Sequence, residues 1–129
     1  MPYPRIERRS GTYAAPAGGG NTNLFNIAPG ERVIAFACNV RVAGNGTGTV
    51  SFGKTASVAA FMATGDVAAN AVGKKYGATG ADLAGNGTAY AAATQALAAY
   101  TVGTNTTHPV IEWVALVIRD ELFKDLLVQ

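Results

Sequence analysis

The sequence predicts an all-β domain, and three observations carry that prediction. Residues 32–43 alternate apolar side chains with period two, residues 110–119 form a nearly continuous apolar run rich in Val and Ile, and turn residues (Gly, Pro, Asn) separate the apolar segments. Period-two alternation puts every second side chain on one face of a strand, whereas a continuous β-branched run fits a strand covered on both faces. The chain has 129 residues, the size of one domain, and its 49% hydrophobic fraction is enough for a core. Alanine is abundant while Leu, Ile and Phe are sparse. The core therefore needs closely approaching sheets or help from neighbouring subunits.

Residues 1–21 read as an extended N-terminal arm outside the core. They carry Pro2, Pro4 and Pro16 and end in Gly18-Gly19-Gly20, a run with a high backbone entropy cost. Tyr3 and Tyr13 with Arg5, Arg8 and Arg9 are candidate interface residues, since Tyr and Arg commonly anchor a segment on another protein. The same basic cluster around Glu7 also fits a solvated tail, so an arm docking on an acidic surface and a disordered terminus both stand.

The domain proper is expected over residues 22–119. Ala28-Pro29-Gly30 supplies a turn, with proline presetting φ and glycine tolerating a positive one. In the following strand Ile34, Phe36, Cys38, Val40 and Val42 are expected to face the core. Residues 44–48, Gly-Asn-Gly-Thr-Gly, predict a tight turn of left-handed glycines that returns residues 49–53 as the second strand of a hairpin. Residues 57–62 predict a short helix or an irregular crossover, and residues 73–87 predict long loops with at most short strands. Residues 88–102 have the alanine content of a helix, but Ala96, Ala98, Tyr100 and Val102 alternate with Gln95, Leu97, Ala99 and Thr101, which favours two short strands. In the closing strand, Glu112 is expected at an edge, a subunit boundary or a partner. Residues 120–129 form a C-terminal tail in which Leu122, Phe123, Leu126 and Leu127 fall at helical spacing, fitting either a docked helix or a partner-binding arm.

Composition and motifs exclude most chemistry. Charged residues make up 14%, against about 25% in ordinary soluble domains, and a net charge of +2 without a clustered basic face argues against nucleic acid. Neither a signal-like apolar stretch nor a membrane span is present, so synthesis in a cytoplasm is expected. Cys38, the single cysteine, reads as a buried inert thiol. His108 has no acidic residue near it except Glu112, and with Asp66 and Asp82 it makes only a weak case for a hydrolase. One His and one Cys cannot build a zinc site, so no metal or other cofactor is expected and the chain is read as a non-enzyme. Asn45-Gly46-Thr47, Asn86-Gly87-Thr88 and Asn105-Thr106-Thr107 match a glycosylation pattern that matters only on a secretory route. A glycan- or receptor-binding fibre head, with Tyr76, Tyr90 and Tyr100 as stacking surfaces, is the alternative function.

The order of motifs resembles that of small accessory head proteins of tailed bacteriophages, the capsid decoration or cement proteins. Its carriers are Leu24-Phe25-Asn26-Ile27-Ala28-Pro29-Gly30-Glu31-Arg32-Val33-Ile34, then Val50-Ser51-Phe52-Gly53, then Phe61-Met62-Ala63-Thr64-Gly65-Asp66-Val67, a Gly/Ala-rich middle and a closing hydrophobic strand. The resemblance implies a jelly-roll-like antiparallel β-sandwich, commonly a homotrimer, seated on the outer capsid surface of the virion across junctions between major capsid protein subunits. It covers about residues 22–119, in pattern more than identity, and carries over no individual contact residue.

Overall fold

The computed structural model describes residues 5–77 and 93–119. Among the described residues eight strands form in chain order: β1 (Arg5–Ala14), β2 (Gly20–Ile27), β3 (Glu31–Val42), β4 (Thr49–Lys54), β5 (Ser57–Met62), β6 (Gly73–Tyr76), β7 (Thr94–Thr101) and β8 (Val110–Arg119). A single helical turn, α1 (Thr64–Val67), separates β5 from β6. The strands make two four-stranded antiparallel sheets, ordered β1-β8-β3-β6 and β2-β7-β4-β5. First pairs with last, second with seventh, third with sixth and fourth with fifth, as though one long folded ribbon had been wrapped into two layers. This is the jelly-roll arrangement.

The all-β expectation holds, and several local readings change. β1 is the edge strand of the first sheet, paired with β8 from Arg5↔Arg119 to Ala14↔Val110. The expected boundary near residue 21 therefore separates nothing: Tyr13 is buried in the core. Proline and glycine around β1 obscured it, because an edge strand needs hydrogen bonds on one side only and tolerates polar residues there.

The predicted hairpin does not form. β3 and β4 lie in different sheets, and residues 43–48 cross from one layer to the other. None of Gly44, Gly46 and Gly48 has a positive φ. Glycine is needed at Gly44 for close approach, since a Cβ there would collide with Asn70 and Asn105. The turn at residues 28–31 does form as expected, with Gly30 at φ +85° and Glu31 N donating to Ala28 O at 3.1 Å.

Residues 57–62 are a strand, not a helix or an irregular crossover, with Ala60, Phe61 and Met62 fully buried. Local propensity favoured helix, but pairing to β4 decided otherwise. β3 carries an extra residue between Val33 and Ala35 and another between Val40 and Val42. Each bulge shifts the phase of the alternation by one. Val33, Phe36, Cys38 and Val40 are consequently buried, while Ile34 is only half-buried and Val42 is exposed, contrary to the uniform inward face expected. β7 keeps the predicted phase, with Ala96, Ala98 and Tyr100 inward. Residues 88–92 lie outside the described residues, as do the second Gly-Asn-Gly-Thr segment and the C-terminal tail.

The alanine-rich core acquires its volume from an aromatic column between the layers. Arg9 lies 5.2 Å above the Phe25 ring, Phe25 stacks on Trp113 at 5.4 Å, Trp113 on Phe36 at 6.0 Å, and Phe36 on Phe61 at 5.6 Å. Phe52 meets Phe36 at 4.9 Å and Tyr13 edge-on at 6.2 Å. Gly11 lies opposite Trp113, where a Cβ would come within 3.1 Å of the indole. Small residues such as Ala96, Ala98 and Ala115 let the sheets close around these rings.

Candidate functional site

The sandwich offers two polar ends and two outward sheet faces. At one end Glu31, almost fully buried, begins β3 directly opposite Arg119 of β8. Its Oε2 accepts from Arg9 Nη2 at 2.8 Å and pairs with Arg119 Nη2 at 3.3 Å, while its Oε1 accepts from Ala28 N at 2.7 Å. Arg9 also donates to Asn26 O at 2.7 Å and to Glu7 Oε2 at 3.1 Å. Both carboxylate oxygens of Glu31 are thus satisfied, and one arginine ties the edges of the two sheets together. Glu31 was not singled out among the charged residues. Its only signal in the sequence is its place one residue past the Pro29-Gly30 turn.

At the opposite end, Asn105 is buried in a polar network. Its side-chain oxygen accepts from Gly48 N at 3.0 Å and its Nδ2 reaches Tyr100 Oη at 3.2 Å and Asn70 Oδ1 at 3.3 Å. Asn45 Oδ1 accepts from the backbone N–H groups of Thr106 and Thr107 at 2.8 and 3.0 Å. Asn45 and Asn105, each the first residue of a glycosylation-like triplet, thus fasten the 44–48 loop to the 102–107 loop. His108, which the sequence made only a weak catalytic candidate, has its Nδ1 at 2.8 Å from Tyr100 Oη and is half-buried.

Of the expected interface residues, Arg5, Arg8, Arg9 and Tyr13 are among the described residues, all on β1. Arg8 projects outward from β1, Arg9 turns inward to Glu31, and Tyr13 is enclosed among core residues, so burial withdraws Tyr13 from any interface. Arg5 lies on β1 opposite Arg119. Tyr3, Leu122, Phe123, Leu126 and Leu127 lie outside the described residues. Of the tyrosines considered for stacking, Tyr76 is 72% exposed, Tyr100 is 4% exposed and Tyr90 lies outside the described residues, so among the described ones Tyr76 alone of the three is displayed.

Burial pushes the Cys38 thiol up to about 11, with nearby Lys75 offsetting part of the shift. Cys38 is therefore the inert thiol expected. Burial likewise raises the Tyr13 phenol to about 12, partly offset by the Thr22 side chain. Glu112 lies on the outward face of β8, where its Oε1 accepts from Arg41 Nη1 at 2.6 Å and from Asn39 Nδ2 at 3.4 Å. That arginine holds its carboxyl below the usual carboxylate range. Among the described residues no group of three or more His, Cys, Asp or Glu could hold a metal ion, and no helix is long and apolar enough to cross a membrane. Asp66 sits in the first turn of α1, remote in sequence and element from His108, while Asp82 lies outside the described residues.

The fold and these surfaces define an eight-stranded jelly-roll sandwich. No protein-family model and no curated protein matches the sequence. Solved structures share the fold. A chain in the capsid of Ralstonia phage GP4 superposes with a TM-score of 0.65 at 13% identity, over 89% of this chain and 84% of that one. A chain in the capsid asymmetric unit of cyanophage Pam1 gives 0.63 at 18% identity over the same shares, 89% and 84%. A chain in the acidic stable capsid structure of Helicobacter pylori bacteriophage KHP30 gives 0.61 at 12% identity, over 93% of this chain and 98% of that one.

Proposed function

We propose that this chain is a structural component of a phage head, a decoration or cement protein that binds the outside of the shell across capsid subunit junctions. The observation that carries this reading is the match of one complete jelly roll to chains in three phage capsid structures. The KHP30 chain is nearly equal in length to this one, since the alignment covers 93% of one and 98% of the other. Sparse charge and an Asn- and Thr-rich polar surface suit a protein whose faces are covered by partners.

A shell under pressure from packed genome is stabilised by any protein that binds its mature arrangement more tightly than the arrangements leading to rupture. A homotrimer would multiply each weak contact through effective concentration. Co-sedimentation of the purified protein with mature shells lacking it tests the reading. Saturable binding together with a raised temperature of genome release is the expected result. A protein that stays in the supernatant at micromolar concentration overturns it.

A further inference from the structure

The two outward faces of the sandwich differ in chemistry. On the β2-β7-β4-β5 sheet, Asn21, Asn23 and Asn26 of β2 with Gln95 of β7 give an uncharged amide surface. On the β1-β8-β3-β6 sheet, Val114, Leu116 and Ile118 of the central strand β8 form a half-buried apolar stripe, flanked by Ile6 at 63% exposure and Tyr76 at 72%. A depression of about 510 Å³ and mixed polarity opens at one end of this face, with Arg8, Ser10 and Thr12 on the β1 side, Lys74 and Tyr76 on the β6 side and Val114 between; the one carboxylate in its lining, Glu112, is engaged by Arg41. Arg8 and Lys74 are exposed, and neither makes an ion pair with a described residue, whereas Arg41 is already engaged by Glu112.

We infer that this outward face is the docking surface, and that its occupant is an acidic segment of the shell protein bearing at least one apolar side chain. The inference rests on the decoration reading above. Two cations with no ion partner among the described residues, flanking a depression that holds Val114 and Tyr76 and whose only carboxylate is already neutralised by Arg41, are complementary to carboxylates flanking an apolar residue. A second copy of this chain fits poorly, because a two-fold packing of this face on itself would bring Arg8 and Lys74 against their own like charges. Three strands of ten to twelve residues and the four-residue β6, spaced ~4.8 Å apart, give a face on the order of 500 Å². That is below the ~800 Å² per partner of a self-sufficient interface, so tight attachment requires repetition of this contact over symmetric copies.

The test compares binding of the full chain, the Arg8→Glu/Lys74→Glu variant and the Asn21→Glu/Asn23→Glu variant to shells lacking this protein. All these side chains are exposed, and unchanged thermal melts verify the fold. The expected result is about tenfold or greater weakening for the Arg8/Lys74 reversal and less than about twofold for the amide-face variant, with wild-type binding falling as salt rises. Equal binding by wild type and the reversal overturns the surface assignment while leaving the decoration reading intact, and so does equal weakening by both variants. A reversal that changes the sedimentation coefficient of the free protein, and not shell binding, overturns it in favour of a second copy. Failure of the wild type to bind shells removes the decoration reading, and this inference with it.

Discussion

Arg9 of β1 donates to the buried carboxylate of Glu31 of β3 at 2.8 Å, although β8 separates the two strands in their sheet. The contact closes one end of the sandwich, since Arg9 also holds Asn26 O on the edge of the other sheet. Removing one partner from a buried pair leaves the other charge without compensation, at a cost of about 3–5 kcal/mol. Glu31→Ala takes the shared acceptor from Ala28 N, Arg9 and Arg119, but Arg9 keeps Glu7 and Asn26 O and both guanidiniums are partly exposed, so the fold should lose about 2–3 kcal/mol, read as a lower urea midpoint at unchanged slope. Arg9→Ala should cost less, because Arg119 remains beside the carboxylate.

The first strand is part of the fold. Truncation through residue 14 removes β1, strips the cover from one side of β8 and takes Tyr13 out of the core. The truncated chain is expected to lose cooperative thermal unfolding and near-ultraviolet circular dichroism. A truncated protein that melts sharply would show that β1 contributes little.

At the other end, Asn105→Ala should cost about 1–3 kcal/mol, because Gly48 N loses its acceptor and Tyr100 Oη one of its partners in a buried setting. Thr107→Ala, which keeps the backbone N–H that Asn45 accepts and alters only an exposed side chain, should change stability by less than about 0.5 kcal/mol. Chemical denaturation of the two variants side by side measures the difference.

Alkaline pH should weaken the fold. The Cys38 thiol ionises at about 11 in the folded chain against an ordinary 9.0, and the Tyr13 phenol at about 12 against 10.0. Between the two values of each group the unfolded chain holds fewer protons, so stability is complete below pH 9 and declines as pH rises from 9 to 12. Urea titrations at pH 8 and about pH 10.5 should differ, and Cys38→Ala should remove part of the difference. A thiol reagent at neutral pH should leave the native chain unmodified and label it after denaturation.

The sequence showed the strands whose pattern is local. β8 is an apolar run broken only by Glu112 before its terminal Arg119, β7 sets Ala96, Ala98 and Tyr100 two apart on its inward face, and the Pro29-Gly30 turn carries its own chemistry. What it hid depends on partners distant in the chain. β1 has too little periodicity to be seen before β8 is placed beside it. The 44–48 segment has the composition of a hairpin turn, yet its glycines answer to Asn70 and Asn105, contacts that exist only once the layers are stacked. The two bulges of β3 keep alternation visible while moving Ile34 and Val42 off the inward face. The candidate surfaces were read from residue type alone, which grouped Arg8 with Arg9 although adjacent residues on a strand point to opposite faces.

The central claim, that this jelly roll decorates the exterior of a phage head, is tested most directly by electron microscopy of shells with and without the bound protein. Difference density is expected outside the shell, over junctions between capsid subunits, and the two-sheet sandwich should fit it with the Arg8 and Lys74 face toward the shell. Density inside the shell, at the tail, or absent altogether at saturating protein would contradict it.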